Sequence, residues 1–149
     1  MEAIVIVHLL AAVVWTGGSI ALVVVGVPAV RTLEGEARAR AMRELGLRWR
    51  PLGYGALTVA AVTGVILAQH DYSRGRSPFV TVFWVKVALA FGIVLFSYLH
   101  NFVYGPRLQR EIREGQPQKT RPTLVVVGWT SLALTITVPI LGAVLSDLV

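Results

Sequence analysis

A chain of 149 residues that is 55% hydrophobic, 15% charged and has a mean hydropathy of +0.68 lies outside the range of soluble globular domains. With no cysteine it excludes disulfide frameworks, thiolate metal sites, iron–sulfur ligation and covalent c-type haem attachment. The net charge of +6 comes from basic residues beside long apolar runs, where anionic lipid and not nucleic acid is the natural partner.

Met1-Glu2-Ala3 has no basic n-region and the apolar run behind it is too long for a signal peptide, so the first segment is expected to stay in the mature protein. Residues 4–30 form the first span, stopped by Gly26-Val27-Pro28 and anchored by Arg31. Between Arg31 and Arg50 the sequence carries Arg38, Arg40, Arg43 and Arg48, with Ala37, Ala41, Leu45 and Trp49 recurring every four residues. That spacing predicts a short basic amphipathic helix lying in the membrane interface. Residues 52–69 are just long enough for a second span, and the polar stretch from His70 to Pro78 is its turn. Residues 79–104 make the third span, interrupted only by Lys86 and His100 and closed by Gly105-Pro106-Arg107. After a charged stretch to Arg121, residues 124–148 supply the fourth.

The fold class that follows is all-α: one integral membrane domain of four transmembrane helices. Basic residues crowd the first and third connections, the third holding Arg107, Arg110, Arg113, Lys119 and Arg121, while the second has only Arg74 and Arg76. The crowded connections therefore face the cytoplasm against anionic lipid, and both termini lie outside, where Glu2 and Asp147 agree. The location predicted is the cytoplasmic (inner) membrane. Small residues four apart, Gly17 with Ala21, Ala88 with Gly92 and Gly142 with Ser146, predict close helix packing. Pro139 removes the partner of the Thr135 carbonyl and predicts a bend in the fourth helix. Trp49 and Trp84 read as interfacial anchors, Trp15 and Trp129 as deeper packing.

An ionisable residue inside a span costs about 2.5–3.5 kcal/mol on insertion scales, which makes His8, Lys86 and His100 the functional candidates. Helical rise puts His8 roughly 6 Å and Lys86 roughly 10 Å below the outer boundary, with His70 and Asp71 at the outer end of helix two. These four compose one candidate outer site. His100 lies near the inner face, roughly 18–20 Å from His8 along the normal, too far for one metal ion to bridge both. The bland alternatives are histidines hydrogen-bonded to Thr16, Ser19, Thr63 or Ser97, a Lys86 that snorkels to the headgroups, and His70 and Asp71 as a solvated turn. No carboxylate lies inside a span, Asp147 falling at the very end of the fourth, and no nucleophile sits beside a base, which argues against hydrolysis and phosphoryl transfer.

The stretch His8-Leu-Leu-Ala-Ala-Val-Val-Trp15-Thr-Gly17-Gly18, with a Pro and Arg at its helix end, resembles the first helix of copper-resistance D-like (CopD-like) membrane proteins. Arg48-Trp-Arg-Pro-Leu-Gly-Tyr-Gly55, Thr63-Gly64, Lys86 and Leu99-His100-Asn101-Phe102 before Gly105-Pro106-Arg107 look like the same family. The pattern is also similar to the HemJ-type protoporphyrinogen oxidases, four-helix proteins linked to b-type haem. The resemblance covers helices one to three and implies that His8, Lys86, His100 and Arg31 are functional. A copper relay asks for Met, His or Cys ladders with soft ligands for Cu(I), and this chain has no Cys and only Met1 and Met42, both outside the spans. Haem b or a porphyrin asks for one axial imidazole, an apolar slot and a cation for a propionate, which His8 with Lys86, or His100 with Arg107, supplies. Three readings follow: a haem- or porphyrin-binding protein with electron transfer as its open role, copper handling by His8, His70 and Asp71, or a non-catalytic subunit of a larger respiratory or photosynthetic complex. Whether the chain self-associates as a homo-oligomer stays open with them.

Overall fold

A computed structural model describes residues 1–71 and 77–146; the side chains of 71, 77–79, 145 and 146 are outside the description. Arg74, Arg76, Asp147 and most of the polar turn after His70 therefore lie outside the described residues. The described chain is helical with short turns: α1 (Glu2–Ala21), a π segment (Leu22–Gly26), α2 (Val27–Arg31), α3 (Gly35–Asp71), α4 (Ser77–Tyr98), a second π segment (Leu99–Tyr104), α5 (Gly105–Arg113) and α6 (Arg121–Ser146). Four helical runs, Glu2–Arg31, Gly35–His70, Val80–Arg113 and Arg121–Val144, are long and apolar enough to cross a membrane. This is a multi-pass membrane protein. It comprises two compact units, Met1–Gly75 and Arg76–Val149, each an antiparallel pair of spans.

In the first unit α1 presents His8, Ala11, Trp15 and Gly18, a stripe at helical spacing of three and four, to α3. Ala11 and Trp15 are buried, Trp15 at 7% exposure, while Leu9, Leu10 and Val13 on the other faces are exposed, as lipid-facing residues are. The Trp15 ring lies 6.2 Å from both Trp49 and Tyr54. Trp49 is thus not merely an interfacial anchor. Its indole covers Gly18 across the seam and Gly53 one turn further along its own helix.

That packing explains a departure from the sequence reading. The basic stretch from Arg31 to Arg50 is not a separate helix; from Gly35 it is the first half of α3, continuous through Pro51 into the span. Proline removes one backbone donor and crowds the carbonyl four residues back, which ordinarily ends or kinks a helix. Here the Trp49 ring, before the proline, rests on Gly53, after it, and ties the two halves together. The solvated half carries the i,i+4 ion pairs Arg40–Glu36 at 3.0 Å and Arg48–Glu44 at 3.7 Å, both exposed and worth little individually.

In the second unit α4 packs on α6 through Gly92 against Leu134 and Ser97 against Ser131, whose hydroxyls are 3.0 Å apart. Ile93, Ser97, Val127, Leu132 and Thr135 are buried, Thr135 at 2% exposure. Two of these five are hydroxyl residues, because small polar side chains let membrane helices approach closely and bond across the seam. A Ser97→Ala, Ser131→Ala double-mutant cycle in detergent unfolding is expected to give a coupling of about 0.6 kcal/mol, and additive single effects would show that the hydroxyls do not cooperate. At the turn, Glu111 accepts from Thr120 N at 3.1 Å and from its hydroxyl at 2.5 Å, placing a carboxylate at the N-terminus of α6.

Each π segment sits just before a proline. The N–H of Val27, preceding Pro28, and that of Gly105, preceding Pro106, donate five residues back, to Leu22 and His100. The wider turn relieves the contact between a proline ring and the carbonyl four residues earlier. Gly105 is required there, since a side chain on it would lie 2.9 Å from the His100 carbonyl oxygen. By contrast α6 continues through Pro139.

The small-residue pairs read from the sequence are only partly used. Gly17 is exposed with nothing within 4 Å of a side chain placed on it, so within the chain Gly18 does the packing instead. Gly92 and Gly142 do face the partner helix, whereas Ala21 and Ala88 are exposed. Trp84 is exposed at 56%, and Trp129, expected to pack deeply, is 62% exposed on the outer face of α6.

Candidate functional site

All three ionisable residues inside the spans are half-buried, and each lies against a glycine of the facing helix. His8 is set one turn above Ala11 on the α1 seam, which carries its ring to the stretch of α3 from Ala60 to Gly64. Its Nδ1 is 2.9 Å from the Ala60 carbonyl oxygen and 3.0 Å from Thr63 Oγ1. The Thr63 hydroxyl donates its own hydrogen to the Val59 carbonyl at 2.6 Å, so toward His8 it is an acceptor. A carbonyl and an occupied hydroxyl both accept, and Nδ1 must therefore carry the proton. In the neutral ring this leaves the lone pair on Nε2. A side chain at Gly64 would lie 3.2 Å from His8 Cε1 and 3.6 Å from Nδ1. The missing side chain at Gly64 lets this edge of the imidazole approach α3 closely.

Lys86, on α4, extends across the seam so that Nζ would be 3.1 Å and Cε 3.7 Å from a side-chain carbon at Gly142. Ser97 faces Ser131 in the same unit, and on that antiparallel register Gly142 is level with Lys86. The ammonium thus stays near the depth of its own backbone and does not snorkel toward the end of the span. His100 lies within the second π segment, where its Cδ2 and Nε2 would each be 3.2 Å from a side-chain carbon at Gly128. It is fourteen residues beyond Lys86, roughly 21 Å at helical rise, so the unit holds them at opposite ends of one span.

Placement of the remaining candidates separates them. His70 is half-buried near the end of α3, seven residues past Thr63 and roughly 10 Å further along the axis; the Asp71 side chain lies outside the described residues. Among the described residues no three His, Asp or Glu side chains gather closely enough to hold a metal ion. Arg31 is exposed at the end of α2, far along the helical run from His8. Arg107 is exposed on α5 with its guanidinium 6.0 Å from the centre of the Tyr104 ring. His8 and His70 belong to the first unit, Lys86 and His100 to the second.

What composition and spacing missed is the set of glycines. Spacing along α6 marks Gly142 with Ser146 as a small-residue packing face but shows neither that Gly142 meets Lys86 nor that Gly128 meets His100. The signal lay in hairpin register, which pairs residues across a turn and cannot be counted along one helix. Compared with known proteins, the chain matches no family model, no curated protein and no solved structure.

Proposed function

We propose that the protein is a CopD-like membrane protein that binds haem b or a porphyrin among its membrane helices, with His8 as an axial ligand and electron transfer as its role. The observation that carries this reading is the hydrogen bonding of His8. A histidine that ligates through one ring nitrogen almost always donates the other N–H to a carbonyl, carboxylate or water, which fixes the tautomer and raises its basicity. His8 donates Nδ1–H to the Ala60 carbonyl and to Thr63, which supports Nε2 as the nitrogen that would ligate. The surroundings suit the group as well, His8 lying among Ala11, Ala60 and Gly64. When bound, haem supplies one-electron chemistry; the protein's part is to present the imidazole, exclude water and set the polarity around the iron.

In this reading the basic arms Arg38 to Arg50 and Arg107 to Arg121 lie on the cytoplasmic side of the inner membrane, against anionic lipid. Protein purified after haem-supplemented expression should show a Soret band that His8→Ala abolishes. A colourless wild-type preparation, or an unchanged band in His8→Ala, would remove the assignment.

A further inference from the structure

The two units share more than an antiparallel layout. His8 lies on Gly64 and Lys86 lies on Gly142, and both pairs span the same 56-residue step. A shift of 78 positions carries His8 onto Lys86 and Gly64 onto Gly142 together. The same shift carries Pro28 onto Pro106, and the π segment Leu22–Gly26 onto residues 100–104 of the π segment Leu99–Tyr104. It also carries buried Trp15 onto buried Ile93, and Gly53, covered by Trp49, onto Ser131 in the other seam.

The turns that join the two arms are built differently, so turn geometry does not impose the match. In the first unit three residues, Thr32 to Glu34, separate the helices and the second arm carries the long polar extension. In the second unit the first arm is extended by α5, and residues 114–120 make the turn. Equal step lengths across unlike turns, with a proline and a π segment at matching positions, are what a repeated unit leaves behind once its connection has been rebuilt.

We propose that the chain is a tandem repeat of one helical hairpin at a period of 78 residues, and that Lys86 stands at the ligand-presenting position held by His8. Glycine on the facing arm makes that position a seat in which the end of a side chain closely approaches the opposite arm. In the first hairpin the seat holds an imidazole that donates through Nδ1, the kind of side chain that ligates porphyrin iron. In the second it presents a fixed positive charge, the complement of a carboxylate. The repeat rests on the register alone, whereas the class of ligand rests on the haem reading.

Two experiments on the full-length protein separate these layers. In the first, haem content per chain is read from the Soret band of wild type, His8→Ala and the double variant His8→Ala, Lys86→His. Loss of the band in His8→Ala with recovery of at least half in the double variant supports equivalent seats. Loss without recovery, in a variant that retains its helical circular dichroism, overturns them. An unchanged band in His8→Ala rejects the haem reading and leaves the decision to the second experiment, which needs no ligand. Gly64→Leu and Gly142→Leu should each lower the thermal midpoint in detergent by several degrees, with Gly17→Leu unchanged. A drop in only one of the two glycine variants overturns the repeat of the seat.

Discussion

Gly18→Leu is expected to be the most damaging single substitution in the first unit, costing about 3 kcal/mol or more of unfolding free energy. Overpacking a tight seam typically costs about 1–3 kcal/mol, and more when the intruding atom meets a ring that has nowhere to go. Even a first side-chain carbon on Gly18 overlaps ring carbons Cη2 and Cζ3 of Trp49. The ring cannot retreat along its own helix, because Gly53 lies against its other edge at 2.8 Å from where a side-chain carbon would stand. Either α1 moves away from α3, unseating the Trp15 and Tyr54 rings, or Trp49 leaves the seam and uncovers Pro51. Thermal or denaturant unfolding in detergent checks this. Gly17→Leu is the matched control, since the adjacent position opens onto space and should move stability by less than about 0.5 kcal/mol. Equal losses at 17 and 18 would mean that Gly17 packs against something outside the chain. Partial recovery in Gly18→Leu, Trp49→Ala would confirm that the clash is with the indole.

Thr63→Val is expected to weaken haem binding by about 10- to 100-fold while leaving the helices intact, the usual effect of removing an outer partner of a ligating histidine. Valine keeps the shape of threonine but withdraws one of the two acceptors that hold Nδ1–H of His8. The Ala60 carbonyl remains, so the tautomer persists while its orientation loosens. Titration of the apoprotein with haem, followed at the Soret band, gives the affinity. Thr58→Val is the control: its hydroxyl also donates to a carbonyl four residues back, that of Tyr54, but has no part in the His8 network. If both valine variants bind haem like wild type, His8 does not depend on Thr63 and the second acceptor has no role in ligation.

The spans were legible because hydrocarbon imposes a simple rule: about twenty apolar residues, closed by glycine, proline and arginine. Thus Gly26-Val27-Pro28 and Gly105-Pro106 do mark where the long apolar helices change character, although the chain responds with a π turn and continues as helix. The boundary expected between the basic stretch ending at Arg50 and the span from residue 52 does not exist, because α3 runs through Pro51. Its cost is offset by Trp49 bridging to Gly53, a contact that periodicity along one strand of sequence does not reveal. His8, Lys86 and His100 stood out because charge or an imidazole in lipid is expensive. Of their partners Thr63 was legible, as a hydroxyl that a membrane histidine can bond, whereas Ala60, Gly64, Gly128 and Gly142 are ordinary residues in an apolar span. Only antiparallel pairing distinguishes them.

The second π segment has a further consequence for how this molecule tolerates change. An α-helix advances 100° per residue, and a π turn accommodates one surplus residue without breaking the ladder of backbone bonds. Deleting one residue between 99 and 104 would relax the surplus into an ordinary α turn and leave both α4, with its Lys86, and the polar arm α5 in phase. The same deletion between Lys86 and Ser97 would dephase one of them from Gly142 or Ser131 on the opposite arm. Length variation in relatives of this protein should therefore collect at the two wide turns, where losing a residue costs an insertion and not a register.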